Sequence, residues 1–308
     1  MAICSMRNLI SLMDYTGDEI RAILDLGILL KKQLKDGVRT PFFAGKVLGL
    51  LFQKPSLRTR VSFESLISQH GGSSLYLGSD VGWPDREPAR DFFPILTSYL
   101  DVLVIRANDH AQVEEAARYC RCPVINGLTN VSHPCQALAD VMTMQESAGG
   151  LDHVRLAYVG DANNVTWSLA VICSKLGIPL SIGAPANYQF PKDFINGLNA
   201  NSGSGLIRQF DDPVSAVDGA TFVYTDVWTS MGQEAEREQR LKELSSFQVS
   251  AELMKHAATD AKFLHCLPAR RGEEVAESVI DGPHSLVIPQ AENRLHAQKG
   301  LVSWLLDT

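Results

Sequence analysis

The 308-residue sequence has no apolar run that approaches eighteen residues, and its first twenty residues have no apolar core followed by a small-residue cleavage site. We therefore expect no membrane-spanning helix and no secretion signal, which is the pattern of a soluble cytoplasmic protein. Six cysteines scattered over so long a chain do not form a disulfide framework. Cys120 and Cys122 have no second cysteine or histidine pair at ligand spacing, so a zinc site is not expected.

Positive charge is also scarce, because 28 lysines and arginines stand against 35 acidic residues and the net charge is -7. This balance argues against nucleic acid as a partner, since a phosphate backbone is bound by an excess of positive charge. Among anionic partners, only a small anion that is bound by a local group of arginines is compatible with this net negative charge. The segment YVGDANN (158–164) lacks the G-x-G-x-x-G spacing of a dinucleotide loop, so nicotinamide binding is not expected.

What the sequence does contain is an alternation of short apolar segments with helical patterns. The strand-like segments are KVLGLLF (46–52), SSLYLG (73–78), DVLVIRA (101–107), CPVING (122–127), VRLAYVGD (154–161), TFVYTD (221–226) and KFLHCLP (262–268). Amphipathic helices are predicted at 16–35, 133–150 and 292–308 from apolar residues at three-to-four spacing. Such alternation is typical of the α/β class, with parallel sheets flanked by helices.

The length and the position of glycines favour two domains. Gly149 and Gly150 end the first half, and a second set of alternating units begins directly after them. We predict a first domain over 1–148, to which the C-terminal helix 291–308 returns, and a second domain over 149–290. Segment 197–205 is rich in glycine and asparagine and is predicted to be a loop within the second domain.

The first candidate site is an anion-binding loop in FQKPSLRTRVSFE (52–64). A predicted strand ends there, and Ser56, Arg58, Thr59 and Arg60 precede or begin a helix. Backbone N–H groups at a helix N-terminus have no intrahelical partner, and hydroxyl and guanidinium groups add donors for phosphate oxygens. The alternative is an ordinary helix cap with solvated arginines, and this loop alone does not decide between them.

Further candidates follow the ends of other strands, where ligands of open α/β sheets bind. Arg106 ends DVLVIRA, and HPCQ (133–136) begins a helix with His133 and Gln136 one turn apart. An imidazole donates to a developing oxyanion and a carboxamide accepts from an amide, so this pair suits a substrate with a carbonyl and an NH2 group. A surface arginine and a helix-terminal histidine with a capping glutamine are the plainer alternatives.

In the second half, Asp226 and Cys266 follow strand-like segments. A carboxylate and a thiolate at adjacent strand ends would hold a cationic amine and ease its deprotonation. The alternative for Cys266 is a small buried apolar side chain, which is the more frequent role of a cysteine. Arg294 begins the terminal helix, where a salt bridge is its simplest explanation.

Together and in this order, the motifs resemble the aspartate/ornithine carbamoyltransferase family over essentially the whole chain. They are S-x-R-T-R, the strand-end arginine, H-P-x-Q, G-D-x-N-N, D-x-x-x-S-M-G, H-C-L-P and A-E-N-R-L-H. The fifth and sixth are similar to the ornithine branch. The resemblance implies transfer of a carbamoyl group from carbamoyl phosphate to the δ-amine of L-ornithine, giving L-citrulline and phosphate, in arginine biosynthesis or in the reverse direction in catabolism. It also implies a homotrimer or an assembly of trimers, and no metal or organic cofactor.

The resemblance assigns roles to matching positions. Carbamoyl phosphate would be bound by Ser56, Leu57, Arg58, Thr59, Arg106, His133, Gln136, Cys266, Leu267 and Arg294. Within this set the carbamoyl NH2 would be received by Gln136 and by the backbone carbonyls of Cys266 and Leu267. Ornithine would be bound by Asn164, Asp226, Ser230 and Met231, and the residues expected in catalysis are Arg106, His133, Asp226 and Cys266.

Two segments depart from the family pattern. Leu57 replaces a threonine, which removes a hydroxyl but keeps a backbone N–H for phosphate. In 78–93, Gly82 replaces the usual glutamine and Trp83 is similar to a tryptophan of enzymes that act on acylated ornithine. A carbamoyltransferase for acylated ornithine or putrescine is therefore the alternative function. A catalytically silent, anion-binding paralogue is a third hypothesis, which the presence of Arg58, Arg106 and His133 disfavours.

Overall fold

The computed structural model describes residues 7–202, 205–229 and 234–307. The helices are α1 (Gly17–Lys35), α2 (Leu57–Gln69), α3 (Ala89–Leu96), α4 (His110–Tyr119), α5 (Pro134–Ala148), α6 (Asn164–Leu176), α7 (Lys192–Ser202), α8 (Pro213–Val217), α9 (Arg237–Leu244), α10 (Ala251–Met254), α11 (Glu277–Ile280) and α12 (Val287–Leu306). The strands are β1 (Val47–Phe52), β2 (Ser73–Leu77), β3 (Val102–Arg106), β4 (Val124–Leu128), β5 (Leu156–Val159), β6 (Leu180–Gly183), β7 (Ile207–Phe210), β8 (Phe222–Thr225) and β9 (Lys262–His265). Short 3₁₀ helices occur at Leu12–Asp14, Ser79–Val81, Ala186–Tyr188, Glu234–Glu236 and Ser245–Phe247.

The chain forms two units, each with its own parallel sheet. Residues up to Ala139 and from Arg294 onward form the first unit, and Asp140–Asn293 form the second, so the division falls inside α5 and α12. The sheets have four and five strands, flanked by helices, which confirms the predicted α/β class. The more detailed domain limits at 148/149 and 290/291 stay a prediction.

The sheet of the first unit has the order β2-β1-β3-β4, with every pair parallel. Its central strands are buried apolar runs, as expected for a sheet covered on both faces. Because the strands are parallel, their carboxyl ends lie at one edge, and the loop that follows β1 lies beside the end of β3. Phe52 and Arg106 are partners in the register, which brings the S-x-R-T-R loop close to the strand-end arginine.

The C-terminal helix packs on α1 within the first unit, which confirms the predicted return of this helix. The contact is close enough to require glycine on both helices. A β carbon on Gly300 would lie 2.3 Å from the carbonyl oxygen of Ile23, and one on Gly27 would lie 2.9 Å from that of His296. The two backbones therefore touch directly, and the first unit is closed by residues from opposite ends of the chain.

Gly300→Ala is expected to lower the free energy of unfolding by about 1–3 kcal/mol, because the added methyl group meets backbone that a rotamer change does not move. Gly197→Ala in α7 is the matched control, since a β carbon added there would have no atom within 4 Å apart from the backbone of its own helix. There alanine is expected to raise the unfolding free energy by about 0.5–1 kcal/mol. Urea denaturation of both variants measures the two effects, and shifts of the same sign would contradict the close packing.

The sheet of the second unit has the order β7-β6-β5-β8-β9, again entirely parallel. Sequence patterns missed β6 and β7: each has only four residues, and β7 carries two polar side chains in the sequence IRQF. The predicted loop at 197–205 is wrong in its first part, because α7 continues through Ser202. Within it, Asn199 is half-buried and bonds through both side-chain groups to the backbone of Ile207 in β7.

Strands β8 and β9 are neighbours, and Thr225 pairs with His265 in the register. The residues that follow them, Asp226 and Cys266, are therefore side by side at the carboxyl edge of this sheet. Within the described ranges, no helix combines the length and the apolar character that crossing a lipid bilayer requires.

Candidate active site

The predicted anion-binding loop begins α2 in the first unit. Ser56 is the N-cap residue, and its hydroxyl oxygen accepts from the backbone N–H of Thr59 at 3.4 Å. The Leu57 side chain is 75% exposed, so this residue offers the loop only its backbone. Arg60 contributes to a different contact, because it pairs with Glu64 at 3.0 Å and lies over the ring of Tyr76. The loop thus presents a helix N-terminus, hydroxyl groups and Arg58.

Arg294 joins three of the sequence motifs within the first unit. Its Nη1 donates to the carboxamide oxygen of Gln136 at 2.7 Å, and its Nη2 donates to the Thr59 hydroxyl at 3.1 Å. All three residues are buried. The structure therefore brings the S-x-R-T-R, H-P-x-Q and A-E-N-R-L-H motifs together through one guanidinium group.

Arg106 and His133 complete what we call the anion cluster, which consists of Ser56, Arg58, Thr59, Arg106, His133, Gln136 and Arg294. Arg106 is only 7% exposed, and its buried Nε has no hydrogen-bond acceptor among the described residues. Burial, together with the like charges of Arg294 and Arg58, lowers the pKa of Arg106 to about 10. A cation held in this way is stabilised by a bound anion, so the cluster favours binding of a negatively charged ligand.

His133 is electrically neutral in this cluster. Burial, and then the charges of Arg294, Arg106 and Arg58, lower its pKa well below the ordinary 6.5. A neutral imidazole donates one hydrogen bond without bringing a further positive charge into the cluster. His133 is thus suited to polarising a carbonyl beside the arginines.

The pKa of His133 also predicts how stability depends on pH. Burial lowers the pKa of a second histidine in the first unit, His296, to about 3. The unfolded chain takes up protons on both rings near pH 6.5, whereas the folded chain does not. The free energy of unfolding should therefore fall between pH 7.5 and 5, by up to about 1.4 kcal/mol per pH unit for each ring. In urea titrations, His296→Gln should reduce this slope; an equal slope in that variant would refute its assignment to His296.

The second unit carries the other predicted cluster, formed by Asn163, Asp226 and Cys266, which we call the carboxylate cluster. The Cys266 thiol donates to Asp226 Oδ1 at 2.9 Å, and Asn163 Nδ2 donates to Asp226 Oδ2 at 2.8 Å. Burial and the adjacent Asp226 raise the pKa of Cys266 well above its ordinary value. Cys266 is therefore a thiol in the ligand-free chain, not the thiolate that the sequence suggested.

The two asparagines that begin α6 have different surroundings. Asn163 is the N-cap: its side-chain oxygen accepts from the N–H groups of Val165 and Thr166, which leaves its NH2 for Asp226. Asn164, the predicted ornithine ligand, is the first helical residue and is half-buried. No sequence pattern predicted the contact of Asn163 with Asp226, although an asparagine before a helix is a recognisable cap signal.

The predicted ornithine ligands Ser230 and Met231 lie outside the described residues. The chain that leads into this segment is held by Arg240 of α9, which donates to the backbone carbonyl of Trp228 at 3.1 Å and pairs with Asp161 at 2.6 Å. Asp161 belongs to the G-D-x-N-N motif. A buried ion pair therefore fixes the chain just before the predicted ornithine-binding segment, and sequence patterns gave no signal for Arg240.

One group of side chains has the composition of a metal site. Asp226, His265 and Cys266 each offer a ligand atom, and these atoms lie within 4.8 Å of one another. The imidazole is already engaged, because Nε2 contacts Glu274 at 3.2 Å and Nδ1 accepts from the Leu267 N–H at 2.9 Å. Metal binding would break one of these bonds, so the group fits a hydrogen-bonded cluster better than a resident ion.

Trp83 has a structural role within the first unit. It is 7% exposed and packs against Phe93, with ring centroids 5.6 Å apart at 72°. It belongs to the apolar core beside Leu51, Leu103 and other residues. The bulky residue that motivated the alternative acceptor is therefore a core side chain, and its presence does not favour acylated ornithine or putrescine.

Two family models match the chain. Residues 7–146 match "Aspartate/ornithine carbamoyltransferase, carbamoyl-P binding domain", and residues 152–305 match "Aspartate/ornithine carbamoyltransferase, Asp/Orn binding domain". The first range contains all of the anion cluster except Arg294, and the second contains the carboxylate cluster and Arg294.

Curated relatives and solved structures agree with these matches over nearly the full length. An ornithine carbamoyltransferase of Pyrococcus abyssi is 47% identical over 303 residues, which cover 97% of this chain and 96% of that protein. The relative from Caldicellulosiruptor saccharolyticus is 48% identical over 301 residues, 96% of this chain and 97% of its own. The structure of ornithine carbamoyltransferase from Pyrococcus furiosus has a TM-score of 0.94 at 46% identity, covering 98% of this chain and 97% of that one.

Proposed function

Because the chain belongs to the aspartate/ornithine carbamoyltransferase family, we propose that it transfers the carbamoyl group of carbamoyl phosphate to the δ-amine of L-ornithine, giving L-citrulline and phosphate. The choice of acceptor is supported by full-length identity of 44–48% to proteins named ornithine carbamoyltransferase. The geometric observation that carries the proposal is the convergence of Thr59 and Gln136 on the guanidinium group of Arg294, whose charge acts on buried Arg106.

In this proposal the anion cluster binds carbamoyl phosphate. Arg58, Arg106 and Arg294 neutralise the phosphate, whose negative charge offsets the burial and the like charges that lower the pKa of Arg106. The backbone N–H groups at the start of α2 add further donors. Arg106, Thr59 and neutral His133 then donate to the carbamoyl oxygen, and Gln136 accepts from the carbamoyl NH2. Arg294 holds Thr59 and Gln136 before the substrate arrives, so little reorganisation of these two side chains accompanies the reaction.

The carboxylate cluster binds the amine of ornithine. The δ-ammonium group must lose a proton before its nitrogen attacks. We assign the acceptance of that proton to Asp226, whose Oδ1 lies 2.9 Å from the sulfur of the Cys266 thiol. Asn164 would bind the α-carboxylate of ornithine, as the resemblance implies, together with Ser230 and Met231. This part of the proposal assigns the second unit to the acceptor and the first to carbamoyl phosphate.

The bond changes then follow. The neutral amine attacks the carbamoyl carbon, and the carbonyl oxygen becomes a tetrahedral oxyanion against Arg106 and His133. The oxyanion re-forms the carbonyl as the carbon–oxygen bond to phosphate breaks. Phosphate leaves with the bonding electrons beside the arginines of the anion cluster, and it takes up the second proton, which the newly bonded nitrogen loses. No step uses a metal ion or an organic cofactor, because the groups that carry charge and protons are side chains of the chain itself.

The proposal is tested by measuring both products in one reaction. Purified protein with carbamoyl phosphate and ornithine should form citrulline and phosphate in equal amounts. Neither should exceed the background hydrolysis of carbamoyl phosphate when ornithine is omitted. Phosphate release without citrulline would mean that the protein hydrolyses carbamoyl phosphate, and the proposed transfer would be wrong.

We also propose that the protein is a homotrimer or an assembly of trimers, as the family resemblance implies. Supporting this, Leu57 and Val61 of α2 and Leu75 of β2 are exposed apolar side chains, at 75%, 47% and 47%. β2 is an edge strand of its sheet. Light scattering on the purified protein should give three chains or a multiple of three, and a monomer would refute this assembly.

A cytoplasmic location is the third part of the proposal. Five cysteines lie in the described chain, namely Cys120, Cys122, Cys135, Cys173 and Cys266, and all are free thiols. Free thiols at this number are typical of a reducing compartment.

A further inference from the structure

The last residue of β9, His265, and Glu274 in the segment that follows are two buried ionisable residues to which the proposed function gives no role. His265 is 1% exposed and Glu274 is fully buried. A carboxylate so far from water needs hydrogen-bond donors. Glu274 Oε1 has two, since it accepts from the backbone N–H of Arg270 at 2.5 Å and lies 3.2 Å from His265 Nε2. The pair belongs wholly to the second unit.

The hydrogen bonds determine which ring nitrogen of His265 carries the proton. Nδ1 accepts from the backbone N–H of Leu267 at 2.9 Å, so it has no proton of its own. Nε2 therefore carries the proton of the ring and donates it to Glu274 Oε1. A carboxylate at this position selects the Nε2–H form of the ring over the other neutral form.

This choice fixes the direction of one peptide group. The peptide between Cys266 and Leu267 is trans, so its N–H and its carbonyl point in opposite directions. Because the N–H of Leu267 is held by His265, the carbonyl oxygen of Cys266 points away from the imidazole. Leu267 also has a φ of 58°, a left-handed conformation that a non-glycine residue keeps only when its surroundings hold it.

We propose that Glu274 is a positioning residue, which acts through His265 to orient the backbone carbonyl of Cys266 as an acceptor for the carbamoyl NH2 group. The inference rests on the proposed function, in which that carbonyl receives the NH2. If His265 carried its proton on Nδ1, two donors would face each other and the peptide would turn. The substrate NH2 would then meet an N–H group instead of an oxygen.

Two variants of Glu274 separate this role from a purely structural one. Glu274→Gln keeps an oxygen that accepts from both donors, and its kcat should stay within about threefold of the parent protein. Glu274→Leu has a similar volume but no acceptor, and its kcat should fall by about tenfold to a hundredfold. The KM for ornithine should change less than about twofold in both, because Asp226 and Asn163 are not disturbed. Glu277→Gln, at an exposed position that begins α11, is the matched control and should behave as the parent.

The outcomes are distinct. Parent-like kcat in folded Glu274→Leu would overturn the positioning role, and so would equal losses in Glu274→Gln and Glu274→Leu. A parent protein that forms no citrulline would instead contradict the proposed function. If Glu274→Leu does not fold, nitrogen NMR of the parent protein labelled with ¹⁵N-histidine decides, with His265 assigned from His265→Asn. The neutral Nε2–H form at pH 7.5 is expected, and a proton on Nδ1 would overturn the inference.

Discussion

Arg106→Ala is expected to lower kcat/KM for carbamoyl phosphate by about a thousandfold or more. The guanidinium group ends β3 among the anion cluster, and in the proposed mechanism it binds both the phosphate and the oxyanion that forms on the carbamoyl carbon. Removing one preorganised donor to an oxyanion typically costs about 100- to 1000-fold in rate, and the lost phosphate contact adds to this. Steady-state kinetics with carbamoyl phosphate varied at saturating ornithine measure the effect.

Stability provides an internal check on this prediction. Arg106 is buried beside two like charges, and its Nε has no acceptor in the described parts of the chain. Its removal should therefore leave the thermal midpoint unchanged or raise it. Arg118→Ala, at an exposed position in the last turn of α4, is the matched control and should retain parent-like kinetics. Turnover near the parent rate in Arg106→Ala would refute the assigned mechanism.

Asp226→Asn should lower kcat/KM for ornithine by about a hundredfold or more, with a much smaller change in the KM for carbamoyl phosphate. The carboxylate accepts from Asn163 on one oxygen and from Cys266 and the Val227 N–H on the other. Asparagine has nearly the same shape, but it has no negative charge for an ammonium group and turns one acceptor into a donor. Kinetics with each substrate varied in turn separate the two effects.

The control for this variant is Asp260→Asn, an exposed position just before β9 that should leave both constants unchanged. Raising the pH should partly restore Asp226→Asn, because free ornithine then carries less charge and needs less help to lose its proton. Equal losses for both substrates at every pH would mean that Asp226 supports the fold and does not bind ornithine.

The alternation of apolar strands with helices was sufficient to predict the class and the return of the C-terminal helix. Apolar runs such as VLGLLF and VLVIR are distinctive because both faces of these strands are covered. β7 escaped prediction for the opposite reason: as an edge strand it carries polar side chains. The order of strands and helices along the chain was therefore enough to predict the architecture. The edge strand β7 could not be predicted without knowing which strand it pairs with in the folded protein.

The candidate site shows the same division between local and distant information. Arg106, His133 and Asp226 could be chosen from the sequence because each directly follows or ends a strand or begins a helix, where ligands of parallel sheets bind. Arg240 and Glu274 could not be chosen, since each acts on a residue that only the fold brings near, such as Asp161, which is 79 positions from Arg240. Positioning residues of this kind belong to no motif whose spacing can be recognised in the sequence.

The measurement that tests the central claim most directly is the initial rate of carbamoyl transfer to four acceptors at equal concentration. Ornithine, N-acetylornithine, putrescine and aspartate would be compared with one preparation of the purified protein and saturating carbamoyl phosphate. We predict a strong preference for ornithine, because Trp83 is a core side chain and does not select the acceptor. Preference for an acylated amine or for putrescine would contradict it, and would mean that segment 78–93, rather than Asp226 and its neighbours, selects the acceptor.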